Sequence, residues 1–104
     1  MIFLASCARI KDLKYTGDGE VINLQKRGLK DVPNEVFENK NLKVLRLFGN
    51  DLDSIPERIG ELVNLEKLYI GRNNLTTLPK SIGKLTKLKI LSVQFNELNE
   101  LPSQ

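Results

Sequence analysis

The stretch LYIGRNNL, Leu68–Leu75, contains the pattern that decides the fold. Leu68 and Ile70 alternate with Tyr69, which predicts a short strand with one apolar face and an aromatic ring on the other face. Two asparagines follow shortly after the strand, although strands are depleted in asparagine. A strand this short is not stable alone, so its apolar face must pack against other parts of the chain.

The same pattern occurs at intervals of 23 residues, as LRLFGNDL before this stretch and as LSVQFNEL after it. A less regular copy precedes these three, with Arg27 in the position of the first asparagine, and terminal repeats are expected to be atypical. We therefore predict a repeat domain over residues 20–104, with repeats at about 20–40, 41–63, 64–86 and 87–104. The apolar positions in phase are Leu42, Leu65 and Leu88; Leu45, Leu68 and Leu91; Leu47, Ile70 and Val93; and Leu52, Leu75 and Leu98.

The unit NLEKLYIGRNNLTTLPKSIGKLT resembles the leucine-rich repeat family in its short form, LxxLxLxxNxLxxLPxxIxxL, and the resemblance covers Glu20–Pro102. It implies an α/β solenoid, a right-handed horseshoe fragment with a parallel β-sheet on the concave face and short 3₁₀ or helical arcs on the convex face. Similar units occur in intracellular proteins of the Ras-binding type and in secreted or surface proteins of pathogenic spirochaetes. Phrases such as NLEKL are most like the bacterial members.

The residue pattern independently predicts the same architecture. Leu45 and Leu47 should point inward from a strand, and the short connections between repeats return the chain to the same edge, so the strands should run parallel. Pro79 lacks an amide donor and has a fixed φ, which suits a return arc outside the sheet. The spacing of Ile82 and Leu85 fits one 3₁₀ or helical turn that faces the core.

The asparagines that follow the strands are predicted to be structural. Where each strand turns into its arc, backbone amides and carbonyls lose their sheet partners inside an apolar column. Asparagine carries both a donor and an acceptor, so Asn50, Asn73 and Asn96 should form an inward ladder that bonds the backbone of adjacent repeats. Asn74 has no counterpart in the other repeats and should be solvated.

Composition excludes several classes of function. The 16 basic and 13 acidic residues give a net charge of +3 and are interspersed, which does not favour nucleic-acid binding. The chain has one cysteine, no histidine and no glycine-rich phosphate loop, and Gly17–Glu20 lacks the ligand spacing of a calcium loop. Asp51 and Asp53 are interpreted as solvated loop residues. We therefore expect no enzymatic activity, no metal and no cofactor.

The residues that flank the inward leucines should lie on the concave face, which repeat proteins commonly use for binding. These positions carry apolar, aromatic and arginine side chains, the composition of a protein-binding hot spot. Alternatively, Phe48 and Phe95 only fold over the sheet edge or cover a neighbouring glycine. The candidate partner-binding residues are Val44, Arg46, Phe48, Lys67, Tyr69, Arg72, Ile90 and Phe95.

Residues 1–19 are predicted to be a leader or an N-terminal cap. Leu4–Cys7 (LASC) resembles a bacterial lipobox, in which the cysteine is acylated, so Cys7 is a candidate lipid-attachment site and the only expected link to a membrane. The apolar segment before it is shorter than a signal peptide requires. Either the reading frame starts upstream, or this segment covers the first repeat.

The last residues, LPSQ, stop after the fourth predicted strand and before its arc. Solenoids normally close with a polar-faced unit, so Leu88, Leu91, Val93 and Leu98 should be partly exposed beside an open strand edge. We expect either a fragment of a longer array or a homo-oligomer formed through this end.

Together these features predict a non-catalytic protein–protein interaction module that binds a partner through its concave face. The bacterial resemblance favours a secreted or cell-surface lipoprotein of a bacterium, acting in host interaction. The alternative is an intracellular signalling scaffold that resembles the Ras-binding members.

Overall fold

The computed structural model describes residues 20–98, which form a parallel four-stranded sheet whose strands are neighbours in chain order. Each strand residue pairs with the equivalent residue of the neighbouring repeat, so Leu45 pairs with Ile22 on one side and with Leu68 on the other. This confirms the predicted leucine-rich-repeat solenoid and its 23-residue register. The strands are β1 (Val21–Asn23), β2 (Val44–Arg46), β3 (Lys67–Tyr69) and β4 (Ile90–Ser92).

Three 3₁₀ turns connect the strands on the opposite side of the core. Each follows a proline in extended conformation, because proline fixes φ and has no amide hydrogen to leave unpaired. Five residues is close to the upper length for 3₁₀ geometry, which suits a short return arc. The turns, named here the first, second and third arcs, are Asn34–Glu38, Glu57–Glu61 and Lys80–Lys84.

The core lies between the sheet and the arcs and is made almost entirely of aliphatic side chains. The inward strand positions Leu45, Leu47, Leu68 and Ile70 are fully buried, as the alternating pattern predicts. The arcs contribute Val36, Phe37, Ile59 and Ile82 to the same cluster. Leu42, Leu62, Leu65 and Leu85 fill the positions between arcs and strands.

The side of the core next to β4 is less covered than the centre. Leu88, Leu91, Val93 and Leu98 pack against the core but are only partly buried. Residues 1–19 and 99–104, including the lipobox Leu4–Cys7 and the sequence LPSQ, lie outside the described residues. The leader or cap, the lipid on Cys7 and the homo-oligomer stay predictions.

Candidate functional site

The open side of the sheet, called the sheet face from here on, is formed by four columns of side chains that run across the strands. The strand register places each residue beside the residue 23 positions later. The columns are Val21, Val44, Lys67 and Ile90; Asn23, Arg46, Tyr69 and Ser92; Gln25, Phe48, Gly71 and Gln94; and Lys26, Gly49, Arg72 and Phe95.

The last column has a backbone conformation that sequence reasoning missed. Lys26, Gly49, Arg72 and Phe95 have φ values of 54°, 75°, 51° and 64°, so all four lie in the left-handed region. Only one of them is the glycine that this region favours. Backbone bonds between repeats continue past the strands, with Lys26 N–H donating to Phe48 O (2.9 Å) and Arg72 N–H donating to Gln94 O (2.9 Å). Lys26, Gly49 and Arg72 thus bond to the next repeat in this conformation, whether or not the residue is a glycine.

Two arginines on the sheet face stack on aromatic rings. The guanidinium carbon of Arg46 lies 4.6 Å from the centroid of Tyr69, its partner in the register. Arg72 reaches two rings, with its guanidinium carbon 4.5 Å from the centroid of Phe95 and 5.9 Å from that of Phe48. These distances are within the range of cation–π interactions. The structure thus brings five of the predicted partner-binding residues into two stacks.

Phe48 and Phe95 differ in exposure. The ring of Phe48 lies over the buried Gly71, where an added Cβ would stand 3.4 Å from the ring and 2.9 Å from the carbonyl oxygen of Gln94. This is the glycine-covering role considered as an alternative, and Phe48 keeps part of its surface exposed. Phe95 is 69% exposed and Ile90 is 40% exposed. Phe95 therefore contributes its area to the surface rather than to the core.

The sheet face carries only positive charge. Its sixteen positions include Lys26, Arg46, Lys67 and Arg72 and no aspartate or glutamate. Glu20 and Glu66, which precede β1 and β3, form ion pairs with Lys43 (3.6 Å) and Lys89 (3.7 Å). Among the ion pairs of residues 20–98, none involves a cation of the sheet face.

The asparagine column lies inside the structure, at the end of the sheet. Asn50 is buried, and its Oδ1 accepts hydrogen bonds from the amides of Arg27 (2.9 Å) and Leu29 (3.1 Å). Its Nδ2 donates to the carbonyls of Leu24 (2.9 Å) and Leu47 (2.8 Å). The side chain thus joins two consecutive repeats through backbone groups that the strands leave unpaired.

Asn73 and Asn96 repeat this arrangement one and two repeats later. Oδ1 of Asn73 accepts from the amide of Leu52 (3.0 Å), and Oδ1 of Asn96 accepts from that of Leu75 (3.1 Å). Both Nδ2 groups donate to the carbonyl of Ile70, at 3.0 Å. Asn74, which follows Asn73 in the chain, is exposed.

The arc side has a different electrostatic character from the sheet face. Arg58 stacks on Phe37 at 5.5 Å, and its guanidinium also donates to both oxygens of Glu61 at 3.2 Å. Lys40 donates to the same carboxylate at 2.7 Å. Hydrogen bonds from Arg58 and Lys40 lower the pKa of Glu61 to about 2. This arginine therefore has both an aromatic ring and a carboxylate as partners.

Residues 20–98 hold no cluster of three or more residues that could ligate a metal ion. Within the same range, no helix is long and apolar enough to cross a membrane. Asp51 and Asp53, considered from the sequence as loop carboxylates, are both exposed.

Comparison with known proteins places the chain among repeat proteins. A family model described as a leucine-rich repeat region matches residues 11–104. A search of curated proteins found no sequence match. Among solved structures, the leucine-rich repeat domain of the type III effector XopL is 28% identical, with a TM-score of 0.84 over 99% of this chain and 35% of that one.

A second similar structure is a leucine-rich repeat protein of Leptospira interrogans. It is also 28% identical, with a TM-score of 0.57 over 88% of this chain and 35% of that chain. The chain thus spans about a third of the length of the two solved structures.

Proposed function

Because the chain belongs to the leucine-rich repeat family, whose domains serve in general as protein-interaction modules, we propose that its sheet face binds a protein partner. The observation that carries this proposal is the pair of arginine–aromatic stacks on that face, Arg46 on Tyr69 and Arg72 between Phe48 and Phe95. Aromatic and arginine side chains are enriched at the energetic centres of protein interfaces.

The exposure of these residues supports the proposal. Phe95 is 69% exposed and Ile90 is 40% exposed, so covering either side chain with a partner would remove apolar surface from water. Stacking restrains the arginine side chains before any partner arrives, so less side-chain entropy is lost on binding. The proposed site comprises Val44, Arg46, Phe48, Lys67, Tyr69, Arg72, Ile90 and Phe95.

The proposed setting is bacterial, in a non-catalytic module that is secreted or held at the cell surface by a lipid on Cys7, and that contacts a host protein. The two similar structures, a Leptospira protein and a type III effector, support a bacterial origin. They favour this setting over the intracellular scaffold of the Ras-binding type.

The test is capture of a partner by the intact immobilised chain from host and bacterial lysates, followed by the same capture with surface variants. Tyr69→Ala and Phe95→Ala should reduce the recovered partner, whereas Lys80→Ala on the exposed third arc should not. Capture that resists both aromatic substitutions but fails with Lys80→Ala would place the interaction on the arc side. Recovery of a small GTPase would favour the scaffold function.

A further inference from the structure

Three arginines among the described residues stack on aromatic rings, and they differ in whether they also bind a carboxylate. Arg58, on the arc side, also binds both oxygens of Glu61. Arg46 and Arg72, on the sheet face, have rings but no hydrogen bond or ion pair with an acidic residue of 20–98. The arc-side arginine therefore has a carboxylate partner in this molecule, and the two sheet-face arginines do not.

The stacked geometry leaves the relevant donors available. A ring contacts the flat face of a guanidinium, whereas its N–H groups point outward in the guanidinium plane. In that plane the fork of donors matches the two oxygens of a carboxylate, and such pairs are stronger than neutral hydrogen bonds. Arg72 is exposed and Arg46 is half-buried, so both side chains keep part of their surface open to solvent.

The distribution of charge points to the same ligand. The described residues include ten aspartates and glutamates, and none of them stands at any of the sixteen sheet-face positions. Lys26 and Lys67 add two further cations to that face, without ion-pair partners among residues 20–98. The arc side, by contrast, carries both signs, with glutamates in the first arc, Glu57, Arg58 and Glu61 in the second and lysines in the third.

We propose that the partner presents an acidic segment to the sheet face, with carboxylates bound by Arg46 and Arg72 and an apolar side chain packed on Phe95. This inference rests on the proposed function and specifies the chemistry of its partner. A protein segment fits better than a phosphate backbone, because the four cations are interleaved with Tyr69, Phe48 and Phe95 instead of forming a continuous basic row.

The structure supplies substitutions that remove charge without disturbing the backbone. Gly49 occupies the position of Arg72 one repeat earlier and has the same left-handed conformation, so Arg72→Gly keeps a residue that tolerates this φ. Arg46→Gln removes the charge and keeps an unbranched polar side chain beside Tyr69. Arg58→Gln is the matched control, because it removes a ring-stacked arginine from the arc side.

The experiment measures binding of two synthetic peptides to the intact chain by calorimetry. In one peptide glutamate alternates with leucine and phenylalanine, and in the other every glutamate is replaced by glutamine. The glutamate peptide should bind at least about tenfold more tightly at low salt, and the difference should shrink as NaCl rises from about 50 to about 500 mM. The Arg46→Gln, Arg72→Gly double variant should remove the difference, and Arg58→Gln should preserve it.

Equal affinities for the two peptides, or no measurable binding of either, would overturn the proposal. So would tighter binding of duplex DNA or of phosphatidylserine vesicles through the same two arginines. The partner captured from lysate distinguishes the proposal that the sheet face binds a protein from the proposal that this protein presents an acidic segment. If Tyr69→Ala abolishes capture of this partner and the double arginine variant does not, the proposed acidic segment is wrong but the proposed binding face is supported. If neither variant affects capture, both proposals are wrong.

Discussion

Asn73, a recurring residue of the repeat, binds backbone groups of two repeats through its side chain. Its Oδ1 accepts from the amide of Leu52, and its Nδ2 lies at 3.0 to 3.1 Å from the carbonyls of Leu47, Ile70 and Gly71. These backbone groups lie beyond the ends of the strands, in a column closed to water. A side chain with only donors or only acceptors could not satisfy both kinds.

Replacing Asn73 by alanine is expected to lower the free energy of unfolding by about 1 to 3 kcal/mol, because buried backbone groups lose their partner. Asn74→Ala is the matched control and should stay within about 0.5 kcal/mol, since Asn74 is exposed. Urea denaturation of both variants measures the difference. Equal effects at the two positions would contradict the inward ladder.

Tyr69 and Leu68 are neighbours in β3 with opposite expected consequences. Tyr69→Ala should weaken partner binding by about 1 kcal/mol or more while changing stability by less than about 1 kcal/mol, because its ring lies on the sheet face under Arg46. Leu68→Ala should cost about 2 to 5 kcal/mol of stability, because Leu68 is fully buried and leaves a cavity. Thermal melts and a titration with the captured partner separate the two effects. A Tyr69→Ala variant as unstable as Leu68→Ala would disprove the assignment of faces.

At the scale of elements, the second and third arcs are in close contact with each other. Gly60 in the second arc meets Ser81 of the third arc, whose Oγ donates to the carbonyl of Glu57 at 2.7 Å. An added Cβ at residue 60 would stand 2.8 Å from the Cβ of Ser81. Gly83 has the same position one repeat later and has open space around it among the described residues.

Gly60→Ala is therefore expected to destabilise the fold by about 1 to 3 kcal/mol, because two packed arcs must separate to admit a methyl group. Gly83→Ala should be neutral or stabilise by about 0.4 to 1 kcal/mol, since alanine restricts the unfolded chain and meets no obstacle. Guanidinium denaturation compares the two variants. The prediction fails if Gly83→Ala is the more damaging change.

The ion pairs that Glu61 of the second arc forms with Arg58 and Lys40 give a pH-dependent prediction. Hydrogen bonds from Arg58 and Lys40 lower the pKa of Glu61 from an ordinary 4.5 to about 2, so the folded state favours the carboxylate. Its contribution to stability is fully present above about pH 4.5 and is lost as the pH falls through about 2. The difference in unfolding free energy between the wild type and Glu61→Gln should shrink over this window. Because Glu61 is solvent-exposed, the difference should also shrink with added salt, and a constant difference across the pH series would refute the network.

At the scale of the whole molecule, stability depends on position along the solenoid. Leu45 lies in β2, between β1 and β3, and is fully buried, whereas Leu91 in β4 is only half-buried. In a repeat protein each unit is stabilised by its own folding and by the interfaces with its neighbours. The same substitution at equivalent positions of different repeats should therefore reduce the free energy of unfolding by different amounts.

Leu45→Ala is expected to cost about 2 to 5 kcal/mol and Leu91→Ala clearly less, because the second side chain leaves a smaller buried cavity. Chemical denaturation of both variants, followed by circular dichroism, measures the costs. Identical losses at these equivalent positions would show that the side chain at Leu91 is as enclosed as the one at Leu45.

Local sequence was sufficient for the architecture. The 23-residue interval, the inward alternation of Leu45 and Leu47 and the proline at each arc are repeated features, and repetition turns a weak local pattern into a specific register. The asparagine that follows β2, β3 and β4 has one physical use in an apolar column, namely to pair with backbone groups, so its placement inside the fold followed from side-chain chemistry.

The arrangement of the sheet face was decided by tertiary structure. The repeat pattern placed Arg72 and Phe95 on the concave face, but both adopt the left-handed conformation, which local sequence does not predict because only Gly49 in that column favours positive φ. At Arg72 this conformation accompanies the hydrogen bonding between repeats, in which Arg72 N–H donates to Gln94 O as the chain leaves the sheet. Which ring each arginine contacts depends on this turn and on the register across strands, so Arg46 meets Tyr69 and Arg72 meets Phe95 only when the repeats stack.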